Sequence, residues 1–479
     1  MTNVWALGGL AIAAPANSLP AYWGALGAGA DGLCITLNMT KDGTLVCWPH
    51  STENISFNDL SKVDIGKDFV STEIDKDGKI ITQGTENPWA EVPPPARPNA
   101  LNVINLEKML LHFSRRTKFL FHVKTSSQSK DILRTLVTTL KKFGIRDRTI
   151  IASDNEGLKT IENNSVSMCL VDDATQTVSE ITSQIDSLPD AILLTTAARL
   201  DQFPDGEFGK ILLPSKNYVA PTREDLNQIN ERSDVIGVAT LAADKTRDIL
   251  SDKGMVHREN FAGPQLNTSI WALGTSRDNK DTQYKLSGGL IISMKGENYS
   301  GAAAFSEFST FGDFDARVDY EVTNPTQGTT FELAVVNIEA GYHRPNLTFD
   351  VHGAPPYASS ERDEADGFRM GWNNGPALTR WVDRKSQSSN LYNNYSRDVG
   401  DASPHRSTGT LRLTRCGPYF NSYFKDVGNQ GWVLSGTATV PTLAPSVFFR
   451  LGAKHWPKGG GAAPDNTVTF SAFELFQWS

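Results

Sequence analysis

The sequence lacks the features that mark several protein classes. No apolar run reaches the roughly 18 residues that a membrane span requires, so no transmembrane segment is expected. Lys and Arg form no cluster and the net charge is -8. This argues against nucleic acid as a partner, because phosphate neutralisation needs grouped basic residues. Low-complexity tracts are also missing, and a soluble globular protein is expected.

Cysteine is scarce, and its spacing argues against a zinc site. The four cysteines, Cys34, Cys47, Cys169 and Cys416, show no Cys-x-x-Cys pattern. We expect buried thiols, since an unpaired cysteine packs as a small hydrophobe. Cys34 and Cys47 fall on neighbouring predicted strands, so a disulfide between them stays open.

The chain is long enough for two domains. Its 479 residues exceed one ordinary core, although a barrel of about 250 residues can form one domain. The hydrophobic fraction of 39% and the charged fraction of 21% are typical of globular proteins. Because the hydrophobic periodicity changes after Met255, we predict one domain over residues 1–255 and a second over residues 256–479.

Short apolar runs alternate with helical patterns in the first domain, as in a parallel sheet with crossover helices. Eight runs match the strand count of a closed (β/α)8 TIM barrel. The predicted strands are Val4 to Leu7, Gly32 to Leu37, Leu45 to Trp48, Lys118 to Val123, Thr149 to Ala152, Ser167 to Val171, Ala191 to Thr195 and Val235 to Ala239. The predicted helices are Ser129 to Phe143, ending at Gly144, Asp154 to Ile161 and Arg223 to Arg232, with Asn105 as the N-cap of another. The proline-rich stretch Asp68 to Asn102 is expected to be a long loop.

Alternating and apolar runs separated by Gly, Pro, Asn and Asp predict an all-β second domain, most simply a two-sheet sandwich. The predicted strands are Tyr284 to Met294, Phe314 to Val322, Thr329 to Val336, Gly367 to Trp372, Thr410 to Arg415, Trp432 to Ala438, Ser446 to Leu451 and Thr467 to Phe476.

The stretch from Val4 to Gly43 resembles the opening of the glycerophosphodiester phosphodiesterase family of TIM barrels. The matching frame is Gly8-Gly9, Pro15 with Asn17, Gly29-Ala30-Asp31-Gly32 and Thr40-Lys41-Asp42-Gly43, with no insertion needed. The resemblance implies a divalent metal among carboxylates at the strand ends, and a pair of histidines acting as acid and base.

This chain departs from that pattern at the residues that carry the chemistry. Ala6 and Leu7 stand where the family has its catalytic His and Arg, and Ala16, Cys34, Thr36 and His122 stand where it has carboxylates. Pro49 takes the place of the second His, with His50 one position late. We therefore expect no cofactor, no calcium or magnesium site and no metal-dependent phosphodiesterase activity.

Four side chains remain near the expected barrel mouth. Trp48, His50, His122 and Lys124 are predicted to gather there and to bind an anionic or sugar ligand without a metal. With the histidines near their ordinary pKa, anion binding would strengthen as the pH falls through about 6.5. Asp172 and Asp173 also follow a strand, but Asp in that position is commonly a helix cap.

The second domain resembles concanavalin A-like jelly rolls of the laminin-G and glucanase type. The resemblance rests on Phe311 to Val322 and on Leu411 to Val433, where an Arg-x-Gly hairpin leads to Gly431 and Trp432. Glu361 to Asp366 lacks the apolar alternation of a glucanase carboxylate strand, so a charged loop is expected. The candidates for stacking on sugar rings are the aromatic residues Trp372, Trp381, Tyr392 and Trp456, with Tyr342 and Tyr395 nearby.

The sequence thus predicts a non-catalytic barrel joined to a jelly roll that binds glycan or a partner surface. The alternative is a hydrolase of phosphodiesters or glycoconjugates with a rebuilt, metal-independent barrel site. Seven Asn-x-Ser/Thr sequons, at Asn38, Asn54, Asn163, Asn267, Asn298, Asn346 and Asn394, favour an extracellular protein, and a cytoplasmic location and the oligomeric state stay open. No basic segment precedes Ala11 to Ala16, so these residues are not expected to be a signal peptide, and any leader would lie outside this sequence.

Overall fold

The structure is a computed structural model of the chain. It describes residues 2–67, 69–75, 79–83, 101–161, 164–172, 174–214, 220, 222–251, 253–275, 282–295, 300–323, 329–337, 374–381, 386–389, 393–394, 407–426, 431–439, 446–455 and 465–478. The described residues form two compact units that divide between Ser251 and Lys253. This division falls a few residues before the predicted one at Met255, which lies inside a strand of the second unit. None of the described helices has the length and apolar character needed to cross a membrane.

The first unit is a closed barrel of eight parallel strands. The barrel strands and three further strands of this unit, β3, β4 and β5, follow in chain order as β1 Asn3–Leu7, β2 Gly32–Met39, β3 Leu45–Cys47, β4 Thr72–Ile74, β5 Ile80–Gln83, β6 Lys118–Val123, β7 Thr149–Ser153, β8 Ser167–Val171, β9 Ile192–Thr196, β10 Lys210–Leu213 and β11 Val235–Thr240. Its helices are α1 Leu19–Gly27, α2 Phe57–Leu60, α3 Leu106–Phe113, α4 Ser129–Phe143, α5 Asn155–Lys159, α6 Val178–Asp186, α7 Ala197–Leu200, α8 Arg223–Glu231 and α9 Ala243–Leu250, with a 3-10 turn at Arg146–Arg148. The ring runs β1-β2-β6-β7-β8-β9-β10-β11 and closes on β1.

The predicted strand count is confirmed, but one predicted strand belongs elsewhere. Leu45–Cys47 pairs antiparallel with β2 and lies outside the ring. Only the turn from Thr40 to Thr44 separates the two strands, and a parallel pair needs a crossover of a dozen residues or more. The eighth barrel strand is Lys210–Leu213, which the sequence pattern did not reveal. This strand is short and begins with Lys210, and a lysine is not expected in a buried strand. Its burial is possible because its ammonium group pairs with the carboxylate of Asp234.

The predicted helix over Ser129–Phe143 is confirmed, and it ends at Gly144 in the left-handed conformation. Asn105 is the N-cap of α3, where its side chain accepts a hydrogen bond from the Lys108 N–H. The helices α5 and α8 are shorter than predicted. The expected loop after Asp68 contains the hairpin β4–β5, and residues 84–100 of that stretch lie outside the described part.

The barrel interior is filled by one inward side chain from each strand of the ring. The eight residues are Trp5, Cys34, Leu120, Ala152, Cys169, Leu194, Ile211 and Ala239. Because strand side chains alternate, the residues two positions further along also point inward and form the layer at the carboxyl ends of the strands. Cys34, Cys47 and Cys169 are buried thiols without a disulfide, as the sequence predicts, and the disulfide left open between Cys34 and Cys47 is not formed.

The second unit is an antiparallel β-sandwich. Its strands are β12 Lys253–Glu259, β13 Trp271–Thr275, β14 Thr282–Leu286, β15 Leu290–Met294, β16 Ser300–Ser306, β17 Thr310–Phe311, β18 Phe314–Thr323, β19 Thr329–Asn337, β20 Asn374–Trp381, β21 Ser386–Ser389, β22 Asn393–Asn394, β23 Thr408–Cys416, β24 Tyr419–Asp426, β25 Val433–Thr439, β26 Ser446–His455 and β27 Asn466–Trp478. One sheet runs β14-β15-β27-β18-β23-β24-β25-β22, with β12 also paired to β27. The other runs β13-β16-β26-β19-β20-β21, with β17 paired to β26.

Both sheets turn an apolar face towards a shared core. Val318 and Phe470 contribute from the first sheet, and Leu333 and Phe449 from the second. The predicted strand Tyr284 to Met294 is in fact the hairpin β14–β15, which turns at Gly288 with a positive φ of 70°. The strands β12, β13, β16, β17, β20, β21, β22 and β24 were not predicted. The predicted strand Gly367 to Trp372 lies outside the described residues.

Candidate functional site

The mouth of the barrel has a partly apolar lining. Leu7, Val171 and Leu213 pack there against the barrel core. Thr36 and His122 are register partners on β2 and β6, and they bring one neutral hydroxyl and one imidazole.

The residues at the family's metal positions do not fit a hard divalent cation, which prefers oxygen ligands and carboxylates above all. Ala16 offers no ligand, Thr36 offers only a neutral hydroxyl, and His122 offers an imidazole rather than an oxygen. Burial raises the pKa of the Cys34 thiol to about 12, which keeps it protonated. Within the described residues, no three His, Cys, Asp or Glu side chains are grouped so that they could hold a metal ion.

His122 is the one titratable group of this inward layer that sequence reasoning selected. Burial, with a smaller contribution from the positive charge of Lys124, lowers the pKa of His122 to about 4. The imidazole is therefore neutral at physiological pH. The expectation that this histidine gains a charge near pH 6.5 is wrong, because strand β6 places it inside the barrel.

A cleft of about 410 Å³ opens beside His122 and Lys124. Its other polar lining residues are Thr125, Asp154, Asn155, Glu156, Gln176 and Gln184. Asp154 is the N-cap of α5, where it accepts hydrogen bonds from Gly157 N at 2.6 Å and from Thr125 Oγ1 at 2.6 Å. Two carboxylates, Asp154 and Glu156, thus accompany the single lysine, so the charges of this cleft favour an anionic ligand less than the sequence analysis predicts.

Trp48 and His50 lie at the same end of the barrel but are not among the described residues that line this cleft. Their rings pack edge to face, with centroids 5.1 Å apart. The link to the cleft is the intervening Pro49 carbonyl, which accepts a hydrogen bond from Lys124 Nζ at 3.4 Å. The structure therefore brings His122 and Lys124 into one cleft and places the other pair beside it.

Asp172 has a structural partner for each carboxylate oxygen. Oδ1 pairs with Arg199 Nη1 at 3.0 Å and accepts from Ala174 N at 2.9 Å, and Oδ2 accepts from Thr195 Oγ1 at 2.6 Å. Asp172 is therefore a structural residue, but it is not the helix cap that the sequence pattern suggested, because Thr177 is the N-cap of α6. Asp173 lies outside the described residues.

The predicted sugar-stacking aromatics fall where the structure gives no side-chain detail. Trp372, Tyr392 and Trp456 lie outside the described residues, as do Tyr342, Tyr395 and the charged stretch Glu361 to Asp366. Trp381 ends strand β20, but its side chain is not described. These assignments remain predictions.

The structure reveals a second candidate site on the face of the larger sheet that points away from the core. At its centre the buried carboxylate of Asp315 accepts hydrogen bonds from both Nε and Nη2 of Arg317, at 3.2 and 2.7 Å, and of Arg412, at 3.0 and 2.9 Å. Lys253 Nζ donates to Asp315 Oδ2 at 2.6 Å. Burial alone would raise the pKa of Asp315, but the three neighbouring positive charges outweigh it and hold that pKa well below its usual range.

Aromatic rings surround this ionic cluster. The Arg317 guanidinium lies 4.9 Å from the ring centre of Phe476 and 5.8 Å from that of Trp432. The Arg412 guanidinium lies 5.4 Å from the ring centre of Trp432, and Lys253 Nζ lies 4.8 Å from that of Trp478. Cations at these distances are attracted by the ring faces, and the contacts fix both partners.

An open cleft of about 640 Å³ lies on the same face. Its charged and aromatic lining residues are Arg258, Arg317, Asp319, Tyr320, Lys425, Asp426, Trp432 and Glu474. The strand register explains the grouping, because Glu474 is the cross-strand neighbour of both Arg258 and Arg317. Arg317 in turn faces Arg412 on β23.

Sequence reasoning missed these residues, although the sequence held a signal. Asp315, Arg317 and Asp319 alternate with apolar residues along β18, so strand geometry places all three on the face away from the core. Arg412 repeats the pattern between Leu411 and Leu413 on β23. The signal was incomplete, since the pairing of β18 with β23 and β27 cannot be read from either strand alone.

Comparison with known proteins finds likeness in fold to two groups of solved structures. The glycerophosphodiester phosphodiesterase from Agrobacterium tumefaciens str. C58 is 15% identical and aligns over 51% of this chain and 99% of its own, with a TM-score of 0.37. The Oleispira antarctica phosphodiesterase solved with the product sn-glycerol-3-phosphate is 11% identical over 52% of this chain and 97% of its own, with a TM-score of 0.40. LamAcat from Zobellia galactanivorans is 13% identical over 47% of this chain and 97% of its own, with a TM-score of 0.30. No protein-family model and no curated protein matches the chain.

Proposed function

We propose that this protein binds carbohydrate through the outward face of the larger sheet of its sandwich, and that its barrel is a scaffold without metal-dependent phosphodiesterase activity. Extracellular location forms part of the proposal, because glycans are abundant there and the sequons favour it.

The observation that carries the proposal is the partly exposed indole of Trp432 in the cleft of the sandwich. Sugars are bound where an aromatic face packs against the ring and nearby planar polar groups bind the hydroxyls. Arg317, Asp319 and Lys425 line the same cleft. Arg317 is held by Asp315 and Asp319 by Thr410, so these two groups lose little conformational freedom when a ligand binds.

The side chains at the barrel mouth support the second part of the proposal, that the barrel has no metal-dependent phosphodiesterase activity. Its mouth offers Leu7, Val171 and Leu213 around a neutral histidine, and although Lys124 and Asp154 line the cleft beside this histidine, the described residues form no group of His, Cys, Asp or Glu that could hold a metal ion. The predicted result is no hydrolysis of glycerophosphocholine with calcium or magnesium present. Turnover that a chelator abolishes and calcium restores would refute this half of the proposal.

Glycan binding is tested on an array of neutral and acidic oligosaccharides with the full-length protein. Trp432→Ala should lower the affinity of any bound sugar by at least tenfold, through loss of stacking area. Tyr284→Ala is the matched control, because Tyr284 is an exposed aromatic residue of the same sheet that does not line the cleft. Equal loss in both variants, or no binding by the wild-type protein, would contradict the proposal.

A second candidate function rests on the barrel cleft, where His122, Lys124 and Asp154 line a common space. A small anionic ligand could bind to Lys124, or a metal-independent hydrolase could use these groups. Isothermal titration with phosphate at pH 7 tests the first idea, and Lys124→Ala should abolish binding there. Hydrolysis of bis(p-nitrophenyl) phosphate in the presence of a chelator tests the second.

A further inference from the structure

We propose that the carbohydrate bound on the outward face of the larger sheet is acidic, with a carboxylate or sulfate group bound by the Arg317 guanidinium while a sugar ring stacks on Trp432. This inference rests on the proposed function and narrows it from carbohydrate to acidic saccharide.

Arg317 has the geometry of an anion-binding residue that is already positioned. Its Nε and Nη2 donate to Asp315, at 3.2 and 2.7 Å, while its side chain keeps 27% of its surface exposed. The guanidinium edge formed by Nε and Nη2 is therefore held by Asp315, and a ligand would bind to the N–H groups of Nη1 and the second N–H of Nη2. A guanidinium presents paired donors that match a carboxylate or sulfate, and a held side chain loses less entropy on binding.

The carboxylates of the cleft are already engaged. Asp319 accepts a hydrogen bond from Thr410 Oγ1 at 2.6 Å. Asp426 accepts one from Tyr320 Oη at 2.5 Å, and Glu474 faces Arg258 at 3.6 Å. Acceptors with partners of their own compete weakly for sugar hydroxyls and for cations, so the cationic donors of the cleft, Arg258, Arg317 and Lys425, are the groups best placed to take an acidic ligand. We select Arg317 because its guanidinium lies 5.8 Å from the ring centre of Trp432.

The ionic cluster behind Arg317 adds positive potential at this point. Arg317, Arg412 and Lys253 all contact the single carboxylate of Asp315, which gives this cluster a formal charge of +2. The other charged residues that line the cleft, Arg258 and Lys425 against Asp319, Asp426 and Glu474, reduce the total to +1. Because the cluster is largely buried, salt screens its field less than it would screen exposed charges. An anionic substituent placed over Arg317 is attracted, whereas a second cation is repelled.

Trp432 lies beside this positive group. Its ring centre is 5.8 Å from the Arg317 guanidinium and 5.4 Å from that of Arg412. A pyranose ring that packs on the indole would thus carry its acidic substituent next to Arg317. A neutral sugar could also stack on the Trp432 indole, but the N–H groups of Arg317 would then stay hydrogen-bonded to water. The difference in affinity between an acidic and a neutral sugar should therefore come from the contact with the Arg317 guanidinium.

The test compares matched acidic and neutral saccharides on the full-length protein. The probes are a galacturonate hexasaccharide with its methyl-esterified form, and a heparin hexasaccharide with its desulfated, carboxyl-reduced form, measured by biolayer interferometry. At least one acidic probe should bind tenfold or more tightly than its neutral counterpart. Its affinity should fall several-fold between 50 and 300 mM NaCl, on the order expected for screened charges.

Variants assign the effect to Arg317. Arg317→Gln should lower the affinity of the acidic probe at least tenfold and leave the neutral probe within about twofold. Lys285→Gln removes a positive charge from an exposed position of the same sheet outside the cleft, and it should change neither. If Arg317→Gln fails to fold, Arg317→Lys keeps the charge without the fork and should show a smaller loss confined to the acidic probe.

The outcomes separate this inference from the proposed function. Equal binding of acidic and neutral probes, or acidic binding that is indifferent to Arg317→Gln and Arg317→Lys, would overturn the acidic preference and leave carbohydrate binding standing. Failure of every saccharide to bind would overturn both.

Discussion

The indole of Trp5 occupies the space that a side chain at position 32 would need. A β-carbon added to Gly32 would lie 2.3 Å from Cζ3 of Trp5, far inside van der Waals contact. The same indole blocks position 237, where a β-carbon would lie 2.6 Å from its Nε1. One aromatic residue thus fills the barrel interior between two strands, β2 and β11, and requires a glycine on each.

Gly32→Ala should therefore destabilise the barrel by about 1–3 kcal/mol, the range for overpacking a core. The clash falls on a rigid ring inside closed packing, so it cannot be relieved by the end of a flexible side chain. Urea unfolding followed by circular dichroism measures the change. Gly254→Ala is the control, because nothing lies within 4 Å of its added β-carbon, and it should stay within about 0.5 kcal/mol of wild type.

A double variant checks the cause. If Trp5 is the obstacle, Trp5→Leu combined with Gly32→Ala should cost less than the sum of the two single changes. Strict additivity would show that Gly32 is required for another reason, such as the Lys118 carbonyl oxygen 3.1 Å from the added atom.

The stability of the barrel should fall on acidification because of His122. The pKa of His122 is about 4 in the folded chain, and the usual unfolded value is about 6.5. The unfolded chain therefore binds a proton first as the pH drops, and stability is lost between these two values. A difference of about 2.5 pKa units corresponds to roughly 3 kcal/mol.

His122→Gln removes this dependence. The free energy of unfolding of wild type minus that of the variant should fall by roughly 3 kcal/mol from pH 6.5 to pH 4. Urea unfolding at intervals of half a pH unit measures it. His50→Gln is the control at an exposed position on the same end of the barrel. A His122→Gln curve parallel to that of wild type would show that the imidazole gains its proton equally in both states.

The two units should fold separately when the chain is divided between Ser251 and Asp252. The strand Lys253–Glu259 pairs with β27 over six residue pairs, so it belongs with the sandwich. A cut after Glu259 should leave the second fragment without an edge strand, and its thermal unfolding midpoint should drop. Cooperative unfolding of both fragments from the first cut confirms the boundary, and aggregation of either one contradicts it.

Glycosylation should discriminate between two nearby sequons if the protein passes through a secretory pathway. Asn54 is exposed. Asn38 lies on β2, and its side-chain amide donates to the Trp48 carbonyl at 2.8 Å, a bond that a glycan on the amide nitrogen would disturb. Peptide mapping after secretion from a eukaryotic host should find glycan at Asn54 and none at Asn38. Modification of Asn38 would show that this hydrogen bond is dispensable.

Local sequence patterns determined much of the fold. The helical spacing in Ser129–Phe143 with Gly144 after it, and the N-cap at Asn105, depend on interactions within a few residues. The change from alternating strands and helices to strands alone also depends on local periodicity. That Ala6, Leu7, Cys34 and Thr36 carry no carboxylate was likewise visible from the sequence, because folding does not change the identity of a side chain.

Tertiary structure decided which strands are neighbours, and the candidate sites depend on that. Lys210–Leu213 can be a barrel strand because buried Asp234 forms an ion pair with Lys210, whose charge would otherwise be unpaired inside the protein. The low pKa of His122 follows from closure of the ring around it. Asp315, Arg317 and Arg412 come together because β18 pairs with β23, although they are separated by about a hundred residues along the chain. Contacts across such separations are set by the burial of whole sheet faces, which no short segment of sequence specifies.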